Sequence, residues 1–189
     1  MNEREFDKVI GLAPRHENRV AWFGALLQRE SRARVEIVEG SAIELYLTSA
    51  DYVSQDIDVV SRRDRVTPVL RRWGFQQVKG RSQRTYWFKR DLGLVDIVGE
   101  GDRSGLRPHR IQTPYGPVLV SAVEPLIARR LVRSHREKSP EFYRQAVRLA
   151  KRSKLDWQYL DAIAKFEGVE PLLGKLKRAV DERAGSSAG

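Results

Sequence analysis

The sequence predicts a mixed α/β (α+β) fold, in which a mixed sheet flanked by helices is followed by a C-terminal helical bundle. Two observations indicate this order. Short segments of alternating or β-branched residues, separated by turn residues, extend to Val120, whereas the apolar residues after Ser121 recur at helical spacing. With 189 residues, the chain is long enough for one domain with a buried core and a helical extension.

This division gives four segments. They are an N-terminal helical segment (1–32), the α/β core (33–121), a C-terminal helical region (122–183) and a flexible tail of small and polar residues (184–189). In the first segment, the apolar residues from Val20 to Leu27 have helical spacing and predict a helix that ends near Ser31.

The core alternates strands with turns and short helices. A turn at Gly40-Ser41 follows the first strand and leads into a helix through Leu47. Thr67 is expected to cap a second helix, which carries Pro68 in its first turn and closes at Trp73. The strands are expected at 35–38, 56–60, 75–79, 84–89, 94–98 and 118–120, with a glycine-rich loop over 99–108.

The C-terminal region begins with a capping-box pattern. Ser121 and Glu124 have the spacing in which each side chain satisfies the other's backbone amide, so a helix is expected to start there. Further helices are expected from Ser139-Pro140, near Asp156 and over 170–183.

Composition excludes several kinds of site. The chain has no cysteine, which rules out a disulfide scaffold, a thiol nucleophile and a thiolate zinc site. His16, His109 and His135 lack metal-ligand spacing, so a metal is expected on carboxylate oxygens. The first residues are charged and no apolar run reaches about 18 residues, so we expect a cytoplasmic protein without a membrane span.

Positive charge is concentrated in one stretch. Ten lysines and arginines lie between Arg62 and Arg90, against the single acid Asp64, in a chain whose formal net charge is +10. Such a stretch favours a nucleic acid or a nucleoside triphosphate, although most charge runs are solvated surface. The residues expected to contact nucleic acid are Arg71, Arg72, Arg81 and Arg84.

Aromatic residues lie inside this basic stretch. Tyr86, Trp87 and Phe88 are consecutive in a predicted strand. They offer rings for base stacking, but aromatic residues that alternate in a strand more often belong to the core.

Three carboxylates are the candidate catalytic residues. Asp56 and Asp58 are two apart on a predicted strand and therefore leave the same face, and Asp96 is a lone acid in an apolar strand. Adjacent carboxylates repel each other unless a cation neutralises them, and magnesium binds carboxylate oxygens together with substrate phosphates. The three acids are thus a candidate two-metal site; alternatively, they face solvent and pair with arginines.

Gly40-Ser41 lies upstream of these acids, between a strand and a helix. Free backbone amides at a helix start bind phosphate, and glycine lets the chain approach it closely. A phosphate cradle followed by an acid pair and a third acid is sufficient for phosphoryl or nucleotidyl transfer.

Glu39-Gly40-Ser41, Asp56-Ile57-Asp58 and Asp96 together resemble the polymerase-beta-like nucleotidyltransferase superfamily. The segments GSAIELYL and SAVEPLIARR are similar to small stand-alone members and to the abortive-infection (AbiEii-like) toxin group. The resemblance covers roughly residues 33–150, and Glu39 stands where many members have a second glycine.

The resemblance implies a nucleotidyltransferase core and a role for each motif residue. Gly40 and Ser41 would hold the triphosphate of a nucleotide such as ATP, and the aspartates would bind two Mg²⁺ ions, with Mn²⁺ as a substitute. Asp96 would also help to deprotonate the attacking hydroxyl.

Three cations in the helical region are further candidates for nucleotide binding. Arg129, Arg130 and Lys138 are expected to neutralise the triphosphate, and the alternative is ordinary exposed helix charge.

The leading hypothesis is therefore a magnesium-dependent transfer of a nucleoside monophosphate from a nucleoside triphosphate to a hydroxyl of RNA, such as tRNA, or of protein. By resemblance, the chain would be the toxin of a toxin-antitoxin pair, with an antitoxin protein as partner. One alternative is a catalytically inactive module that binds nucleic acid or a partner. Another is an antitoxin-like regulator.

Overall fold

The computed structural model describes residues 1–48, 50–80, 84–99 and 108–181. The chain divides into two compact units, one spanning Met1–Ser121 and the other starting at Ala122. None of the helices in these described ranges is long and apolar enough to cross a membrane.

The first unit contains helices and a single mixed sheet, which confirms the predicted fold class. Its helices are α1 (Glu3–Gly11), α2 (His16–Ser31), α3 (Glu39–Leu47) and α4 (Arg63–Arg72). Its strands are β1 (Glu36–Ile37), β2 (Asp56–Val60), β3 (Gln76–Lys79), β4 (Thr85–Lys89), β5 (Gly93–Gly99), β6 (His109–Thr113) and β7 (Gly116–Val120).

The strands are ordered β3-β4-β5-β2-β1-β7-β6. The β2–β5 and β1–β7 pairs are parallel and the other pairs are antiparallel. The strand that carries the predicted acid pair therefore lies in the middle of the sheet, beside the strand that carries Asp96.

The two faces of the sheet differ in composition. Ile57, Val95 and Trp87 are all at least 97% buried and lie on one face, which we call the covered face. Helices α1, α2 and α4 pack there, where the rings of Phe6 and Trp73 stack with centroids 4.3 Å apart. Because side chains alternate along a strand, the residues between these core positions point to the opposite, open face.

Helix α4 and strand β6 differ from the sequence expectation. Helix α4 starts at Arg63, one turn before Thr67, so Pro68 lies inside the helix and removes one helical hydrogen bond. Strand β6 was not predicted, because its sequence HRIQT has one strongly apolar residue, which suits a strand at the sheet edge. His109, expected in a loop, begins this strand and is exposed.

The second unit is helical. Its helices are α5 (Val123–Glu137), α6 (Pro140–Arg152), α7 (Trp157–Glu167) and α8 (Glu170–Asp181). The predicted capping box at its start is wrong: Ala122 is the N-cap residue of α5, and the hydroxyl of Ser121 donates to Glu36 Oε1 at 3.1 Å. The carboxylate of Glu124 instead accepts the amide of Asp156, which caps α7. The predicted tail at 184–189 lies outside the described residues.

Candidate active site

The register of two central strands places the three predicted acids together. In the parallel β2–β5 pair, Asp58 lies directly opposite Asp96, and Asp56 lies opposite Leu94. Asp56 and Asp58 are two residues apart, so both point to the open face, and Asp96 points the same way on the neighbouring strand. Since adjacent strands lie about 4.8 Å apart, three carboxylate-bearing positions share one small area of the sheet.

Ser41 holds the backbone of the strand that carries two of these acids. Its side chain is fully buried, and its hydroxyl donates to the carbonyl of Asp56 at 2.9 Å and accepts the amide of Asp58 at 2.9 Å. The carbonyl of Asp58 in turn accepts the amide of Val38 at 3.0 Å. The first turn of α3 thus continues the line of β1 alongside β2 and fixes the backbone on both sides of Ile57.

The Gly40-Ser41 segment, expected as a turn before the helix, lies inside α3, which starts at Glu39. The φ of Glu39 is +52°, a left-handed backbone conformation that favours glycine. A Cβ on Gly40 would lie 2.6 Å from Ser54 Oγ and 3.0 Å from Tyr52 Oη. Glycine therefore permits the close approach of α3 to the segment that leads into β2.

The start of α3 lies next to the strand that carries Asp56 and Asp58. The first amides of a helix have no carbonyl partner within it, and they carry the positive end of the helix dipole. At α3 these include the amides of Gly40 and Ser41, next to the start of β2. This is the geometry in which helix starts bind phosphate groups.

Glu44 is a buried acid that the sequence analysis did not select. It is fully buried in α3, where its Oε2 accepts the amide of Ser54 at 2.8 Å and its Oε1 lies 2.5 Å from Nδ1 of His16. The signal was present, since Glu44 is the only charged residue in the apolar helix segment AIELYL. Glu44 positions the backbone just before the acid pair.

Asp96 lies in the least accessible part of the acid group. Its side chain is 2% exposed; Oδ2 is 2.9 Å from Nη2 of Arg84, and Oδ1 is buried without a hydrogen-bond partner. Burial raises the pKa of Asp96; Arg84 opposes this increase, and the charge of Asp56 adds to it. Ionising this carboxyl therefore has a cost that a second cation would reduce.

The donor set fits a hard divalent cation by its chemistry, because it consists of carboxylate oxygens, one of them buried and unpartnered. In the described ranges, no three acidic or histidine side chains are oriented to hold a metal ion together. Arg84 is oriented toward Asp96 and supplies positive charge to it.

The predicted nucleic-acid residues do not form one surface. Arg71 places its guanidinium 5.7 Å from the ring centroid of Trp87, a covered-face residue, and Arg72 pairs with Glu30 at 2.9 Å. Arg84 lies instead at the open face, on Asp96. Arg81 lies outside the described residues.

Acids from distant parts of the chain also reduce the charge of the basic stretch. Lys89 pairs with Glu3 at 2.8 Å and with Asp7 at 3.1 Å. Desolvation lowers the pKa of Lys89, but the hydrogen bonds to these carboxylates outweigh it, so the pKa is raised and the ammonium stays charged. A count of the charges between Arg62 and Arg90 omits these acidic partners, which lie near the N-terminus.

The aromatic cluster of β4 divides between the two faces. Trp87 is 3% exposed and belongs to the core, as one of the two sequence interpretations expected. Tyr86 and Phe88 point to the open face, where Phe88 is 40% exposed and Tyr86 is half-buried.

The three candidate cations of the helical region belong to the second unit. Arg129 is exposed on α5 and Lys138 is exposed just after it, whereas Arg130 is 5% exposed with its guanidinium 5.4 Å from the ring centroid of Phe142. Arg130 is therefore a packed residue of this unit rather than ordinary surface charge.

Comparisons with known proteins bear on the fold. No family model and no curated protein matches the sequence. Among solved structures, an antigenic nucleotidyltransferase-like protein from Paracoccidioides brasiliensis is similar, with a TM-score of 0.60 and 14% identity over 87% of this chain and 93% of that chain. The antibiotic-resistance factor ANT(2'')-Ia gives a TM-score of 0.47 and 16% identity over 87% of this chain and 91% of its own. The chain thus has a nucleotidyltransferase-like fold.

Proposed function

We propose that this protein is a metal-dependent nucleotidyltransferase. It would transfer a nucleoside monophosphate from a nucleoside triphosphate to a hydroxyl group of an acceptor and release pyrophosphate. The observation that carries the proposal is the placement of Asp56, Asp58 and Asp96 on one face of two adjacent strands, next to the start of α3. On a nucleotidyltransferase-like fold, these acids would supply the metal ligands and the base that the reaction needs.

The backbone amides at the start of α3 would bind the triphosphate. The hydroxyl of Ser41 is already engaged with β2 on both its donor and acceptor sides, so its role is to position the acids. The amides of Gly40 and Ser41, without carbonyl partners in the helix, are the phosphate ligands in this proposal. Arg129 and Lys138 remain proposed nucleotide contacts from the second unit, whereas the burial of Arg130 favours a packing role.

The three aspartates would hold magnesium, with manganese as a substitute. When bound, the metal supplies positive charge that neutralises the carboxylates and polarises the α-phosphate. Asp56 and Asp58 lie nearest the start of α3, and Asp96 lies on the far side of Asp58 from it.

Asp96 is suited to accept the proton of the attacking hydroxyl. In the reaction the acceptor oxygen bonds to the α-phosphorus, the bond from that phosphorus to the pyrophosphate oxygen breaks, and the hydroxyl proton goes to a base. Burial raises the pKa of Asp96, which makes its carboxylate a stronger base than an exposed aspartate. Arg84 holds this carboxylate in place.

The acceptor is proposed to be RNA, such as tRNA, with a protein as the alternative. The support is the formal net charge of +10, which favours a polyanion. The resemblance of the segments GSAIELYL and SAVEPLIARR to the abortive-infection group supports a toxin, with an antitoxin protein as partner, as the proposed biological role.

A transfer assay tests the function. The purified protein is incubated with magnesium, total cellular RNA and protein, and each of ATP, CTP, GTP and UTP labelled at the α-phosphate. We expect label in one acceptor class, lost in the Asp56→Ala/Asp58→Ala variant. Asp91→Ala, which removes an exposed acid from the β4–β5 turn, is the matched control and should transfer normally.

Two results would contradict the proposal. Transfer that persists in Asp56→Ala/Asp58→Ala would remove the acids from the mechanism. Absence of transfer with all four nucleotides, together with no magnesium-nucleotide binding by calorimetry, would favour the catalytically inactive binding module instead.

A further inference from the structure

Three side chains of one strand line the open face beside the acids. Tyr86 and Phe88 are two residues apart in β4, so they point the same way, and Arg84, just before the strand, pairs with Asp96 on the same face. In the β4–β5 register, Trp87 pairs with Val95 and Phe88 pairs with Leu94, which places Tyr86 beside Asp96. Phe88, Leu94 and Asp56 therefore form one row across the sheet, and Tyr86, Asp96 and Asp58 form the next.

The rings of this surface are held in position yet remain accessible. Gly80 lies against the ring of Tyr86, because a Cβ there would come within 2.5 Å of Cε2. The ring of Tyr86 therefore packs against the backbone of a glycine. Phe88 keeps 40% of its surface exposed, so its ring is accessible from solvent. We call Tyr86 and Phe88 the ring platform.

The position of the ring platform relative to α3 determines what it faces. The start of α3, where the phosphates are proposed to bind, lies on the β1 side of the acids, whereas β4 lies on the other side, beyond β5. In an in-line displacement the attacking and leaving oxygens lie on opposite sides of the phosphorus. The leaving pyrophosphate on the α3 side therefore puts the attacking hydroxyl on the β4 side, next to Asp96 and the rings.

We propose that the ring platform binds the acceptor, and that the acceptor is the unpaired 3′ end of an RNA whose terminal base stacks on Phe88 and Tyr86. This inference rests on the proposed function. Aromatic side chains bind unpaired bases by stacking, and the guanidinium of Arg84, 46% exposed at the same edge, supplies positive charge for the adjoining phosphodiester. The terminal ribose hydroxyl would then lie toward Asp96.

Fluorescence anisotropy with a short single-stranded RNA, labelled with fluorescein at its 5′ end, tests this inference. We expect Phe88→Ala to weaken binding about tenfold, and Phe88→Tyr to bind like the wild type because it keeps the ring. Phe166→Ala removes a phenyl ring that is 88% exposed elsewhere and is the matched control, which should bind normally. A blunt duplex of the same strand, whose terminal base is paired, should bind the wild type and Phe88→Ala equally.

Calorimetry with each of the four magnesium-nucleoside triphosphates separates this inference from the proposed function. We expect Phe88→Ala to leave nucleotide affinity unchanged. Loss of nucleotide affinity in Phe88→Ala would overturn the inference, because the rings would then hold the incoming base. Equal RNA binding by Phe88→Ala and the wild type, or no RNA binding by the wild type, would also overturn it. A Phe88-dependent RNA affinity without any nucleotide binding would instead refute the proposed function and leave the ring platform as an RNA site.

Discussion

Replacing Ser41 with alanine tests whether its hydroxyl positions the acids or binds substrate. The hydroxyl makes two hydrogen bonds of 2.9 Å, one to the carbonyl of Asp56 and one from the amide of Asp58. Both backbone groups belong to the central strand of the acid site. Removing the hydroxyl therefore leaves a buried donor and a buried acceptor without this partner.

The expected loss of stability follows from these two groups. A buried polar group left unsatisfied costs about 1–3 kcal/mol, so the two together cost roughly 2–6 kcal/mol. Alanine is the better helix former, which returns about 0.5 kcal/mol in α3. The net decrease in the free energy of unfolding is roughly 1.5–5.5 kcal/mol, a substantial part of the 5–15 kcal/mol typical of a domain.

Urea denaturation of Ser41→Ala and of Ser61→Ala measures this difference. Ser61 is a matched control, since it is also buried and makes one hydrogen bond, 2.8 Å to the carbonyl of Arg34. Loss of this hydrogen bond in Ser61→Ala should lower the free energy of unfolding by about 1 kcal/mol. Equal losses in the two variants would refute the positioning role. Wild-type stability in Ser41→Ala, combined with weaker magnesium-nucleotide binding, would show that the hydroxyl contacts the phosphates.

Three further changes give distinct outcomes. Asp96→Asn should melt at a higher temperature than the wild type at neutral pH. The pKa of Asp96 is raised in the folded state, so the stability that this carboxyl contributes is present at low pH and is lost as pH rises through that pKa. In differential scanning calorimetry, the difference in melting temperature between the variant and the wild type should therefore close below the ordinary aspartate pKa of about 3.9. Glu44→Ala should lower the free energy of unfolding by about 3 kcal/mol, since the buried amide of Ser54 loses its hydrogen-bond acceptor. A decrease below about 1 kcal/mol in urea denaturation would contradict this. Gly40→Ala should weaken magnesium-nucleotide binding in calorimetry, because the new Cβ would lie 2.6 Å from Oγ of Ser54. Gly40→Ala/Ser54→Ala removes this Oγ and should recover the binding. Failure of the double variant to recover would refute the steric explanation.

The fold was predictable where the sequence pattern was local. Strand β2 occupies the predicted residues 56–60, because alternating β-branched residues specify a strand without help from distant contacts. The start of α4 was not predictable from Thr67-Pro68, since proline favours a first turn but tolerates an interior position when the helix packs well. Strand β6 was missed because an edge strand needs few apolar residues.

The site was predictable only in part, for a similar reason. Two acids with a spacing of two residues must share a face of any strand, so the pairing of Asp56 with Asp58 follows from the sequence. The contact between Arg84 and Asp96 does not, because it depends on the order of β4 and β5 in the sheet. The sequence also does not show that Arg71 lies near the covered face whereas Arg84 lies at the open face, because this too depends on how the elements pack.

The energetics of Asp96 are consistent with its proposed role as a base. Burial and the nearby charge of Asp56 both oppose its ionisation, and the guanidinium of Arg84 does not fully compensate, since the pKa stays raised. Its neighbours Val95 and Ile97 are buried apolar residues, so an apolar or amide side chain at this position would avoid the cost of a buried charge. Buried carboxylates with raised pKa values concentrate at reactive sites. A higher melting temperature in Asp96→Asn, together with loss of transfer, would show that this strand gives up stability to keep a base beside the acceptor.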